Sequence, residues 1–128
     1  LMAVTSVFGN SSLEDTYMTT EAMLKDFKLK DQIKHFKGAA EAGDHDNEAA
    51  EYLVKAAAEN KNEITLVAIG PLTNLYAAWK IDPDFFKNLK EIINMCDRAY
   101  VMHQGTINGE LSKNEMTDVN IMELSVEG

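Results

Sequence analysis

Between Glu63 and Gly70 the chain reads Ile64-Thr65-Leu66-Val67-Ala68-Ile69, an almost unbroken apolar run that Gly70-Pro71 closes. A short, β-branched apolar run bounded by turn residues is the pattern of a strand buried on both faces of a parallel sheet. That expectation constrains the rest of the fold. Parallel neighbours cannot be joined by hairpins, so the flanking chain must supply crossover connections, usually helical.

The flanks supply them. Leu1 to Val7 is apolar and followed by Gly9-Asn10, which predicts a buried strand and a turn; its apolar start, with no polar lead-in, reads as a chain cut within an element. Ser11 with Glu14 three residues on reads as a capping box, and Leu13, Tyr17, Thr20, Leu24 and Phe27 recur at helical spacing behind it. Gln32 to Phe36 is a second strand closed by Lys37-Gly38, and Glu41 to Asn47 a polar loop. Ala49, Tyr52, Leu53 and Ala56 share one face of a further helix, which Glu59-Asn60-Lys61-Asn62 stops. After Gly70-Pro71, Leu72 to Lys80 reads as helix, Asp82-Pro83 starts a short helix with Phe85, Phe86 and Leu89, and Ile92 to Met95 is a strand. The alternation predicts one α/β domain over 1–128, a mostly parallel, Rossmann-like sheet with helices on both faces. Residues 101–128 read as an irregular, mostly looped tail, with Val119 to Val126 ordered against the body.

Charge narrows the partners. Twelve basic against 21 acidic residues give a formal charge of −9, which repels phosphate backbones and anionic headgroups, so neither nucleic acid nor a membrane surface is expected. No apolar run approaches the roughly 20 residues that span a bilayer. A single cysteine, Cys96, excludes an internal disulfide and suits a reducing compartment, so a cytoplasmic location is the expectation.

In open α/β sheets ligands bind beyond the carboxyl ends of the strands, which directs attention to Gly9-Asn10 and to Gly70-Pro71-Leu72-Thr73-Asn74. Val4-Thr5-Ser6-Val7-Phe8-Gly9-Asn10-Ser11-Ser12-Leu13-Glu14 resembles the V-T-x-V-x-G-N-x-x-L-E segment of the inosine-uridine preferring nucleoside hydrolases. Lys37-Gly38-Ala39 is similar to that family's next strand end, and Ile64 to Leu75 to its strand closed by G-P-L-T-N. Asp82-Pro83 and Ile92-Ile93-Asn94-Met95 then follow in the family's order. The resemblance implies hydrolysis of a ribonucleoside N-glycosidic bond to ribose and free base, with calcium as cofactor. By position it makes Thr73 the residue whose backbone carbonyl binds the metal, and Asn10 a ribose-facing group. Asp118-Val119-Asn120 matches as a diverged E-F-N ribose motif, which adds Asp118 and Asn120 to the substrate residues; Gly109-Glu110 and Gly105-Thr106 compete as its upstream partner.

The pattern departs from the family in particular places. The D-x-D-x-x-x-D-D loop that supplies most calcium ligands and the general base has no counterpart in this chain, and Met95-Cys96-Asp97 stands where M-G-G is usual. The catalytic residues are therefore unassigned, and calcium is expected only if other residues hold it. The expected chain is a truncated or divergent portion of such an enzyme, or a non-catalytic relative that binds a ribose-like molecule or a subunit; an uncovered sheet edge would favour a homo-oligomer. A dinucleotide-binding domain is disfavoured because no G-x-G-x-x-G follows a strand. Asp44-His45-Asp46 has metal-compatible residue types but reads as solvated loop, and His35 and His103 read as structural.

Overall fold

A computed structural model describes residues 1–94, 98–103 and 106–112, with side chains through residue 93. The described chain runs β1 (Ala3–Ser6), α1 (Leu13–Asp26), β2 (Lys34–Lys37), α2 (Glu48–Glu59), β3 (Thr65–Ala68), α3 (Thr73–Ile81), α4 (Phe85–Asn88), β4 (Glu91–Asn94), β5 (Arg98–His103) and β6 (Thr106–Ser112). Strand and helix alternate up to β4, and β1 pairs with β2 in parallel, Ala3 opposite Lys34 and Ser6 opposite Lys37, across the α1 crossover. The fold is α/β, as the apolar periodicity requires. β3 pairs with β4. The chain divides into two compact units, Leu1–Ile92 and Ile93–Gly128.

Caps and turns explain the element boundaries. The cap of α1 is Ser12, not Ser11: its hydroxyl accepts from the Asp15 backbone N–H at 3.1 Å and donates to the Asp15 carboxylate at 2.9 Å. The box is shifted by one residue because Asp15, not Glu14, occupies the third helical position, which frees Glu14 to pair with Lys37 at 3.1 Å. Asn47 caps α2, its Oδ1 accepting from Ala50 N–H at 3.0 Å. Lys28, at φ 57°, turns the chain out of α1 through the left-handed region.

The core of the first unit is built on small residues. Ala50 and Ala57 of α2 meet Ala77 and Ala78 of α3, and their short side chains let the helices approach closely. Phe85, wholly buried, and Leu89 fill the space beneath, and Leu53, Val54, Ile64, Leu66, Phe86 and Ile92 pack around the cluster.

The run Ile64 to Ile69 does not lie buried on both faces. Ile64 and Leu66 turn to the core, whereas Val67 and Ile69, on the opposite face by the two-residue period of a strand, are 52% and 83% exposed. The packed cluster of α2, α3 and α4 covers only the Ile64 side.

The irregular tail expected from Val101 onward is corrected over its described part. β5 and β6 form an antiparallel pair, Arg98 opposite Ser112 and His103 opposite Thr106. Asn108 and Gly109 read as loop residues because both disfavour strands. Here Gly109 opposes Val101 while Ile107 opposes Met102, so Asn108 is the extra residue of a bulge, a position that tolerates such residues. Val119 to Val126 lie outside the described residues.

Candidate functional site at the strand ends

Three turns meet where β1, β2 and β3 end. The Phe8 N–H donates to the Ala39 carbonyl at 3.0 Å, which joins the turn after β1 to the turn after β2. A Cβ placed on Gly9 would lie 4.0 Å from the Pro71 ring, and one on Gly70 would lie 3.5 Å from Val7 Cγ1, so the turn after β3 rests against the turn after β1. Asn74, in the first turn of α3, closes the set. Its Nδ2 donates to the Ser6 carbonyl at 3.1 Å and its Oδ1 accepts from the Ala39 N–H at 2.8 Å. The Asn74 residue is only 3% exposed.

Gly38 is required by that closure. A Cβ there would fall well inside 3.0 Å of both the Asn74 amide and the Ser6 carbonyl, a separation real Cβ atoms do not adopt.

Ser6 is held from a second side. Its hydroxyl lies 2.6 Å from His35 Nε2, and His35 Nδ1 lies 2.8 Å from the Glu21 carboxylate. The His35 side chain, 3% exposed, stacks on Tyr17 with ring centroids 4.2 Å apart, and Lys37 sits over the other end of the arrangement, 4.7 Å from the Tyr17 ring. Lys30 reaches Glu21 at 2.8 Å. The hydrogen bond from Lys30, then that from His35, holds the Glu21 carboxyl below its ordinary value, and Glu21 in turn raises the Lys30 ammonium above its own. A buried serine, imidazole and carboxylate in a row can orient one another, but Ser6 is 5% exposed, so its hydroxyl is a packed group and not an open nucleophile. His35 is thus held on both ring nitrogens and packed on Tyr17.

The residues singled out from sequence fall in different places. Asn10 stands exposed in the turn after β1, and Thr73 is the half-buried first residue of α3. The turns that carry them are in contact. Asp118 and Asn120 lie outside the described residues, as does Cys96. Asp44 and His45 are bound into their loop: Asp44 Oδ2 accepts from the Ala40 N–H at 2.9 Å, and His45 Nε2 lies 3.1 Å from the Ala42 carbonyl, its ring edge-on to Tyr76 at 4.8 Å. Among the described residues no three His, Cys, Asp or Glu side chains gather to hold a metal ion. A calcium ion takes about six to eight oxygen ligands, and the Thr73 carbonyl alone does not make that site.

Sequence reasoning missed the Asn74 tie and the Ser6, His35 and Glu21 row. The partners of His35 are 29 and 14 residues away, and those of Asn74 are 68 and 35, so no local spacing announces either.

Residues 1–122 match the family described as inosine-uridine preferring nucleoside hydrolase. The chain belongs to that family. Among its relatives, the uncharacterized protein C800.11 of Schizosaccharomyces pombe is 28% identical over 134 residues, covering 74% of this chain and 34% of the relative. A probable uridine nucleosidase 2 of Arabidopsis thaliana is 51% identical over 43 residues, covering 34% of this chain and 13% of that protein. The solved structure of a plant nucleoside hydrolase, the PpNRh1 enzyme, superposes with a TM-score of 0.66 at 26% identity, over 81% of this chain and 40% of that one. The chain thus spans about a third of the fungal relative and two-fifths of the plant structure. For a nucleoside hydrolase domain, the converging strand-end turns are the edge where the ligand rule for open α/β sheets directs the search. Among the described residues no helix is long and apolar enough to cross a membrane.

Proposed function

We propose that this protein is a hydrolase of ribonucleoside N-glycosidic bonds, releasing ribose and the free base, and that the strand ends of this chain form part of its ribose-binding edge. The observation that carries the reading is the convergence of the turns after β1, β2 and β3 in a member of the nucleoside hydrolase family. Asn10 is exposed on that edge with an amide able both to donate to and accept from sugar hydroxyls. A small, polyhydroxylated, uncharged ligand also suits a chain of net charge −9 better than a polyanion does.

The reaction displaces the base from the anomeric carbon by water through an oxocarbenium-like transition state, and so requires a group to deprotonate the water. No described residue at the strand ends fills that role. Asn10 binds and orients the sugar, and the buried Asn74 and Ser6 hold the turn beneath it. Asp118 and Asn120 would extend the sugar contacts.

The test is ribose release from inosine and uridine by this chain, with calcium and then with chelator, alongside titration of each nucleoside against the Asn10 amide resonance. Calcium-dependent release supports the full reading. A nucleoside response at Asn10 without release keeps the ribose edge and assigns the chemistry to groups outside it. The absence of both ribose release and a nucleoside response at Asn10 overturns the proposal.

A further inference from the structure

We propose that Asn74 is a positioning residue for the ribose edge: its buried side chain sets where the turn bearing Asn10 stands relative to the start of α3 bearing Thr73. The inference rests on the reading of those two residues as site groups. Its physical content is a geometric coupling that exists without ligand.

The Asn74 amide grips the β1 turn by two routes. Nδ2 donates directly to the Ser6 carbonyl at 3.1 Å, at the last residue of β1. Oδ1 accepts from the Ala39 N–H at 2.8 Å, and the Ala39 carbonyl accepts from the Phe8 N–H at 3.0 Å, so the second route arrives two residues before Asn10. At the other end, Asn74 follows Thr73 directly in the first turn of α3. Any rotation of the amide is therefore felt in both turns.

Only an amide fits. The position demands a donor toward Ser6 and an acceptor toward Ala39 in one planar group. A carboxylate offers only acceptors, and a leucine of similar shape offers neither. At 3% exposure, water cannot replace a lost partner. Gly38 leaves the space the amide occupies, since a side chain there would overlap it. Ser6 is meanwhile anchored through its hydroxyl to His35, so its carbonyl is a fixed point for Asn74 to pull against.

The experiment compares backbone amide spectra of the full chain, without ligand, for the wild type, Asn74→Asp and Asn74→Leu. Asn74→Asp keeps the Ala39 acceptor and loses the Ser6 donor; Asn74→Leu loses both. The coupling predicts that Asn10 and Thr73 resonances shift in Asn74→Asp and further in Asn74→Leu, by more than any amide of α2. A residue that merely stabilises the fold would lower the melting temperature of both variants and leave Asn10 in place. Shifts confined to Ser6, Ala39 and their immediate neighbours would overturn the proposal.

Should neither variant fold, hydrogen exchange in the wild type decides. The Ala39 and Phe8 amides should be protected to the same degree as Ala78 in α3, opening as one unit. Exchange at Ala39 faster than at Ala78 by about tenfold or more would show that the turns move independently and would overturn it. Because no ligand enters, this result and the ribose-release result can fail separately.

Discussion

Gly38→Ala is the sharpest test of the interlocked turns. The added Cβ falls inside 3.0 Å of the Asn74 amide on one side and the Ser6 carbonyl on the other; the first is pinned by two hydrogen bonds and the second is backbone. Forcing a methyl group into a filled site costs about 1–3 kcal/mol. If the Asn74 amide is displaced, the bonds to Ser6 and Ala39 go with it, each with a net worth of about 0.5–1.5 kcal/mol. The expected loss is therefore about 2–6 kcal/mol, a large part of the stability of an ordinary domain. Urea unfolding measures it as a fall in midpoint at unchanged slope. Asn74→Ala removes half of the obstruction but none of the Ser6 carbonyl, so Gly38→Ala should cost less in that background, with a coupling of about 1 kcal/mol or more. A single-variant loss below about 1 kcal/mol, or strict additivity in the cycle, would refute the packing argument.

Two further outcomes follow from the described contacts. Phe85→Ala, at the one large side chain wholly buried in the cluster of α2, α3 and α4, should lose about 3–5 kcal/mol in the same assay, and a loss under about 1 kcal/mol would mean that the cluster is not the core. Glu21 is held below its ordinary value of 4.5, first by Lys30 and then by His35, so its contribution is present above that value and is lost as pH falls through the lower folded one. The melting temperature of the wild type should accordingly drop more steeply than that of Glu21→Gln between about pH 5 and 3, and parallel curves would contradict the assignment. The Lys30 partner, raised above 10.5, gives the opposite arm: its share is lost only as pH rises beyond that value.

Periodicity and punctuation carried most of the fold. The strand from Ile64, the helix behind Pro71 and the order of elements through β4 follow from apolar spacing and from Gly, Pro and capping residues, all of which act over a few positions. Errors arose where two local signals tied or where a global fact intervened. Ser11 and Ser12 are equally good caps by composition, and only the placement of the first helical residue chooses Ser12. Asn108-Gly109 is a turn signal in isolation and a bulge opposite Val101 in the β5–β6 pair. The exposure of Val67 and Ile69 is a property of what packs on β3, which no residue within β3 can report.

The site divides along the same line. The turns that carry Asn10 and Thr73 were legible because each follows an apolar strand, where an α/β sheet presents its ligands. What holds those turns together was not, since it depends on contacts 35 and 68 residues apart. Yet the two halves of the tie carry complementary marks. Gly38 is a residue whose missing side chain leaves room, and Asn74 is a polar residue at a helix start whose donor and acceptor must both be used once buried. Either mark alone fits many turns; only their meeting in space gives each its reason. A buried amide without the glycine would have no place to lie, and the glycine without the amide would leave Ala39 N–H unsatisfied, so a change at either position should be tolerated only with a compensating change at the other.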